Sequence, residues 1–132
     1  MRNLDKAIRF YEGLGFSMWK REMEKVTFID KVVGLNNARI ETAKLKSPCG
    51  GLLELLKYHS HPVEKKISKQ PSNQLGCSHI AITVENIDET MKYIQDTGGS
   101  IVNDPETSPG DKIRVAYCHD CEGNLIEIVE DN

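Results

Sequence analysis

Apolar residues recur along this chain with two periods. Leu4, Ala7, Ile8 and Tyr11 are spaced three or four apart, which puts them on one side of a helix, and so are Ile87, Thr90, Met91 and Ile94. An asparagine stands before each run. Asn3 and Asn86 can each cap a first turn with the side-chain oxygen, and Asp5 and Asp88 suit the positive end of the helix dipole. Glycines close both runs, Gly13 and Gly15 in one and Gly98 and Gly99 in the other. Elsewhere the period is two. Ile80, Ile82 and Val84 alternate with His79, Ala81 and Thr83, and stretches around Met18–Lys25, Ala38–Lys46 and Lys112–Cys118 also read as strands. Leu52–Leu56 and Leu125–Val129 are apolar runs, each broken by one glutamate, Glu54 and Glu127.

These elements repeat. Asn3-Leu4-Asp5-Lys6-Ala7-Ile8-Arg9-Phe10 matches Asn86-Ile87-Asp88-Glu89-Thr90-Met91-Lys92-Tyr93 at an offset of 83 residues. Gly50-Gly51-Leu52-Leu53-Glu54-Leu55-Leu56 matches Gly123-Asn124-Leu125-Ile126-Glu127-Ile128-Val129 at an offset of 73. The first copy therefore carries about ten extra residues between helix and last strand. Thr27–Ala38, with Phe28, Ile29, Val32 and Val33, is where an added turn or short helix is predicted. The expected fold is α+β, two β-α-β-β-β modules over residues 1–62 and 77–132, joined by a polar, aperiodic link at 63–76. The counterpart of His79 falls four places before residue 1, so the first module is expected to lack its opening strand, as a truncated product of a longer reading frame would.

Composition narrows the function. The 132 residues suffice for one ordinary domain, and a net charge of -3 argues against a nucleic-acid partner. No apolar run approaches a membrane span and no basic-then-apolar start marks a secretory signal, so no membrane partner and a cytoplasmic location are expected. Cys118 and Cys121 form a CxxC. Four-ligand zinc needs a second pair, and Cys49 and Cys77 are far apart, so reduced thiols beside a hairpin turn are the simpler reading.

The polar residues inside the apolar strands carry the chemistry. An ionised carboxylate amid apolar residues is costly without a partner. Alternation turns Glu54 and Glu127 away from their leucine and isoleucine neighbours, and His79 away from Ile80. Two carboxylates and one imidazole on the open side of a sheet make a candidate site for one divalent ion. His59 and His61, past the end of the Glu54 strand, and His119 beside a hairpin read as surface residues.

Asn3–Tyr11, Gly76-Cys77-Ser78-His79-Ile80-Ala81 and Asp120-Cys121-Glu122-Gly123-Asn124-Leu125-Ile126-Glu127 closely resemble the vicinal oxygen chelate superfamily, which includes glyoxalase I, methylmalonyl-CoA epimerase, extradiol dioxygenases and bleomycin-resistance proteins. The resemblance implies two modules enclosing a metal in a U-shaped cleft. Three ligands carry over, to Glu54, His79 and Glu127; the fourth belongs on the absent strand. It implies a small-molecule substrate, a homodimer, and one ion among Ni, Zn, Co, Mn, Mg and Fe, held at low occupancy. Glu54 or Glu127 would be the catalytic proton acceptor in a lyase or isomerase reaction. Arg114 and Tyr117, on what resembles the family's penultimate strand, and Tyr58, where glyoxalase I has an asparagine, are the implied substrate-binding residues. Extradiol dioxygenases need no ligand at Glu54, which favours the isomerase and epimerase branch. The rival implications are a drug-sequestering binding protein of the bleomycin-resistance type and an extradiol-type dioxygenase.

Overall fold

Asn3 and Asn86 cap two equivalent helices. In the computed structural model, which describes residues 1–63, 69–76, 79–110 and 112–131, Asn3 Oδ1 accepts from the Lys6 N–H and Asn86 Oδ1 from the Glu89 N–H, each at 3.0 Å. The chain divides into two units, residues 1–65 and 66–132. The first runs α1 (Leu4–Gly13), β1 (Ser17–Glu24), α2 (Thr27–Val33), β2 (Ile40–Lys46) and β3 (Leu52–Tyr58). The second runs β4 (Ile80–Val84), α3 (Ile87–Asp96), β5 (Ser100–Ile101), β6 (Glu106–Thr107), β7 (Ile113–His119) and β8 (Leu125–Asp131). The chain is mixed α+β, as the pattern predicts. Cys77 and Ser78, read as the start of β4, lie outside the described residues, as does the middle of the 63–76 link.

The inserted segment of the first unit is a helix. α2 ends at Gly34, whose φ of 69° suits a residue without a Cβ, and Asp30 takes the Asn37 and Ala38 N–H groups at 2.8 Å to hold the exit. In the second unit the place of β1 is taken, among the described residues, by the two-residue pairings of β5 and β6 against β7; Asn103-Asp104-Pro105 lies between them, and proline has no N–H for a ladder.

Register assigns each side chain to a face. In the first sheet, ordered β1-β2-β3 and antiparallel, Arg21 pairs with Ala43 and Ala43 with Leu55. Arg21 bonds Asp5 of α1 at 2.7 Å, so the helix covers that face; Ala43, Leu45 and Leu55 are buried there, and α1 contributes Leu4, Ala7, Ile8, Phe10 and Tyr11 to the core. Burying such side chains is worth about 1.5–3 kcal/mol each. The other face carries Lys20, Lys44 and Glu54 in one row and Glu22, Thr42 and Leu56 in the next. In the second sheet, ordered β4-β8-β7-β5, Cys118 Sγ lies 3.2 Å from Met91 Sδ of α3, and its register partner Ile126 is buried with it. Tyr117 pairs with Glu127, and Glu127 with Ala81, on the opposite face.

One difference separates the two sheets. β8 is flanked by β7 and by β4, which runs parallel to it. Among the described residues β3 pairs with one strand, β2; on its other edge the Met1 nitrogen donates to the Leu56 carbonyl at 2.5 Å. No helix among the described residues is long and apolar enough to cross a membrane.

Candidate functional site

His79 and Glu127 meet across the open face of the second sheet. His79 stands just before β4, Glu127 lies at the third position of β8, and the parallel pairing of Ala81 with Glu127 sets the histidine one pleat away on the same side. Its Nε2 lies 3.0 Å from Glu127 Oε2 and 3.4 Å from the Tyr117 hydroxyl. The two rings pack edge to face with centroids 5.0 Å apart. Both members of the pair are about a quarter exposed, 27% and 24% at the side chain, so they are shielded yet reachable. Two donors held about 2.1 Å from one ion at right angles to each other sit about 3 Å apart. The pair fits half of a divalent-ion site. Among the described residues no group of three or more His, Cys, Asp or Glu side chains is gathered as an ion would need.

Glu54, the repeat equivalent of Glu127, lies on the open face of the first sheet, as alternation predicts. Its neighbour is different. Lys44, directly opposite on β2, puts its ammonium 3.5 Å from Glu54 Oε1, where Glu127 has Tyr117. Tyr58 shares this face four residues on, at the end of β3, and is exposed.

Arg114 sits on the other side of its sheet. Its guanidinium grips both oxygens of Asp88, at 2.8 and 2.9 Å, and lies 3.6 Å from Glu130, on the face that α3 covers. The bond to Arg114 holds the Asp88 carboxyl below the usual carboxylate range. Arg114 thus fastens the start of α3 to β7 and is remote in face from Glu127. Glu41 likewise sits on the helix face of the first sheet, bonded to His59 at 2.8 Å and to Arg21, which also bonds Asp5. The His59 and Arg21 bonds hold the Glu41 carboxyl down. His59 is exposed, as its place past the strand end predicts, and its ring also bonds the Glu41 carboxylate.

His119 is a clear departure. It is 7% exposed: its Nε2 lies 2.8 Å from the Gln70 carbonyl and its Nδ1 3.2 Å from Ser100 Oγ, so the ring ties residues of the link to the second sheet. Its position before a hairpin suggested solvent, but the buried Asp120, which takes the Glu122 and Asn124 N–H groups, turns the hairpin inward instead. Cys118 is buried and its thiol is pushed up to about 11 by that burial, so it is a core residue. Cys49, exposed in the β2–β3 turn, is shifted the other way by hydrogen bonds from Ser47 and Gly51. Among the described residues Cys49 and Cys118 are free thiols.

Two residues of the first open face carry no sequence signal of their own. Lys44 reads as an ordinary strand lysine until its register with Glu54 is known. Trp19 is the extra residue of a bulge in β1, between Met18, paired with Leu45, and Lys20, paired with Lys44. A bulge re-aims a side chain, and Trp19 comes under the Lys46 ammonium, 4.9 Å from its ring centre, while staying 54% exposed.

Comparison with known proteins adds family to geometry. A family model described as the Glyoxalase/Bleomycin resistance protein/Dioxygenase superfamily matches residues 1–128. A glyoxalase family protein from Bacillus cereus is similar at 28% identity and a TM-score of 0.91, over 99% of this chain and 88% of its own. A glyoxylase/bleomycin resistance protein/dioxygenase domain from Frankia matches at 14% identity and a TM-score of 0.71, over 100% of this chain and 91% of its own. A variant of glyoxalase I from Zea mays matches at 19% and 0.64, over 96% of this chain and 40% of its own. A search of curated proteins finds no match.

Proposed function

The chain belongs to the Glyoxalase/Bleomycin resistance protein/Dioxygenase superfamily, and from that membership we propose that it is a metal-dependent lyase or isomerase, moving a proton next to the carbonyl of a small oxygenated substrate. The observation that carries the reading is the His79–Glu127 pair, an imidazole nitrogen and a carboxylate oxygen 3.0 Å apart on an open sheet face. In this reading Glu54 is the third donor to one divalent ion, drawn from Ni, Zn, Co, Mn, Mg and Fe. When bound, that ion supplies Lewis-acid polarisation of the substrate oxygens.

The protein's own groups do the rest. Glu127 accepts the proton from the carbon, in preference to Glu54, because the Lys44 ammonium engages Glu54 while the residue facing Glu127 on β7 is the uncharged Tyr117. In this reading Tyr117 donates a hydrogen bond to a substrate oxygen next to Glu127, which its hydroxyl, 3.4 Å from His79 Nε2, supports. Tyr58 borders the Glu54 side of the same reading.

Proton exchange tests this directly. Hydroxyacetone and glyceraldehyde, incubated in D2O with nickel-loaded protein, are expected to lose their C–H signals next to the carbonyl, and Glu127→Gln is expected to stop the loss. No exchange and no nickel uptake by the wild-type protein would overturn the proposal. A second reading, a binding module without chemistry, is favoured by Trp19, an exposed aromatic ring that a bulge in β1 re-aims. Ligand retention with no exchange would support it.

A further inference from the structure

Glu54 and Glu127 occupy equivalent positions of the repeat, yet the residue facing each differs in charge. Tyr117 faces Glu127, and Lys44 faces Glu54, with Lys20 next in the same cross-strand row on β1. Lys20 is closely paired with Glu22 at 2.7 Å. Lys44 is held more loosely, its ammonium 3.5 Å from the Glu54 carboxylate and its side chain 27% exposed. An ammonium has three N–H donors, and one contact at that distance leaves it short of partners.

The demand grows once Glu54 turns to another cation. Its carboxylate cannot satisfy an ion and Lys44 together at full strength, so Lys44 is left as a half-shielded positive charge beside Glu54, in want of another anion. One pleat along β2 on the same face, the Thr42 hydroxyl is buried with no hydrogen-bond partner among the described residues. A donor pair of this kind, a cation and a hydroxyl on one strand face, matches a carboxylate. Lys46 and Trp19 wall the neighbouring row with a further positive charge over an aromatic ring.

We infer that Lys44, supported by Thr42, is the specificity-determining group of this face and holds a carboxylate of the substrate, which makes the substrate class a small 2-oxo or 2-hydroxy carboxylate; the inference rests on the metal-site reading given above.

Two probes separate the carboxylate from the paired oxygens. Oxalate is an anion with adjacent oxygens, and acetohydroxamic acid is a neutral molecule with adjacent oxygens. Both are titrated calorimetrically into nickel-saturated wild type, Lys44→Met and Lys44→Arg. Lys44→Met is expected to weaken oxalate on the order of tenfold, the usual scale for losing one charge-assisted hydrogen bond, while acetohydroxamic acid changes little and Lys44→Arg restores oxalate. Equal oxalate binding in wild type and Lys44→Met overturns the assignment, as does an equal loss of both probes. A metal-free arm uses Glu54→Gln, which releases Lys44: oxalate shifts in NMR spectra are expected to strengthen over wild type and to vanish in Glu54→Gln with Lys44→Met. Nickel uptake by the wild type is measured alone. Absent uptake with the Glu54→Gln gain intact sinks the metal reading and keeps Lys44 as an anion site; uptake with no effect at Lys44 does the reverse.

Discussion

His79 Nε2 and Glu127 Oε2 lie 3.0 Å apart on the open face of the second sheet, on strands that meet in parallel. Neither residue is near the other in sequence, and the contact exists because β4 enters beside β8. If the pair holds an ion, removing either donor removes uptake. His79→Ala and Glu127→Gln are each expected to lower nickel affinity at least about tenfold, since one lost ligand or supporting group costs that much or more. Glu127→Gln keeps the shape of the side chain, so its thermal midpoint without metal should stay near that of the wild type. Nickel uptake unchanged in both variants would put the ion elsewhere.

Arg114 and Asp88 make a pH-dependent contribution whose sign follows from the direction of the shift. Asp88 is held below its ordinary value by the Arg114 bond. Its contribution is therefore present above the unfolded carboxyl value of 3.8 and lost as pH falls through the lower folded value. Asp88→Asn should lower the thermal midpoint at pH 7, and the gap to the wild type should close towards pH 3 and below. A gap that persists unchanged at low pH would show that the ion pair is not its source. Because the pair is exposed, the effect is expected to be small and to shrink with added salt.

The thiols should react in a fixed order. Cys49 is exposed and its thiol lies below the ordinary value because Ser47 and Gly51 hydrogen-bond it, whereas Cys118 is buried and pushed up to about 11. The thiolate is the reactive form. Iodoacetamide at pH 8 should label the peptide containing Cys49 well before the one containing Cys118, with Cys118 labelled only after urea is added. Equal native-state labelling of the two would contradict the packing of Cys118 against Met91.

Much of this was legible beforehand because the signals were periodic and repeated. The helix caps at Asn3 and Asn86, the faces of Leu4 and Ile87, and the outward turn of Glu54 and Glu127 all follow from spacing within one element. What escaped depends on register between elements. Lys44 acquires meaning only from its place opposite Glu54, and Trp19 from a bulge that no local pattern announces. Arg114 shares β7 with Tyr117, and only register shows that it lies on the other face, bonded to Asp88 of α3. His119 was misread because burial there is decided by a bond to Gln70, 49 residues away. Short pairings such as β5 and β6 carry too few residues to show a period.

Thr42 offers a stability test that doubles as a check on the first open face. Its buried hydroxyl lacks a partner among the described residues, and such a group costs about 1–3 kcal/mol relative to a satisfied one. Valine has nearly the same shape. Thr42→Val is therefore expected to raise the unfolding free energy by about 1 kcal/mol in the ligand-free protein, read from the urea midpoint, while weakening oxalate. A fall in stability would mean that the hydroxyl is bonded in solution.

The last expectation concerns the outer edge of β3, with which no strand pairs among the described residues. Residues in a strand send their N–H and C=O groups alternately to its two edges. Leu56 faces away from β2, since its carbonyl accepts from the Met1 nitrogen, and so by alternation do Leu52, Glu54 and Tyr58. In the second sheet the matching edge of β8 is filled by β4. An edge with unpaired N–H and C=O groups is a template for another strand, and a second copy of this chain offers the same edge, which can pair antiparallel about a twofold axis. The chain is expected to dimerise with rising concentration, seen by sedimentation. Leu56→Pro removes one outward N–H without touching a bond to β2, so it should shift the equilibrium to monomer while the β2–β3 amides stay protected from exchange. The Glu54 and Leu56 amides should exchange quickly in the monomer and slow on association. A wild-type chain that stays monomeric at high concentration, or a Leu56→Pro chain that still dimerises, would place the contact elsewhere or remove it.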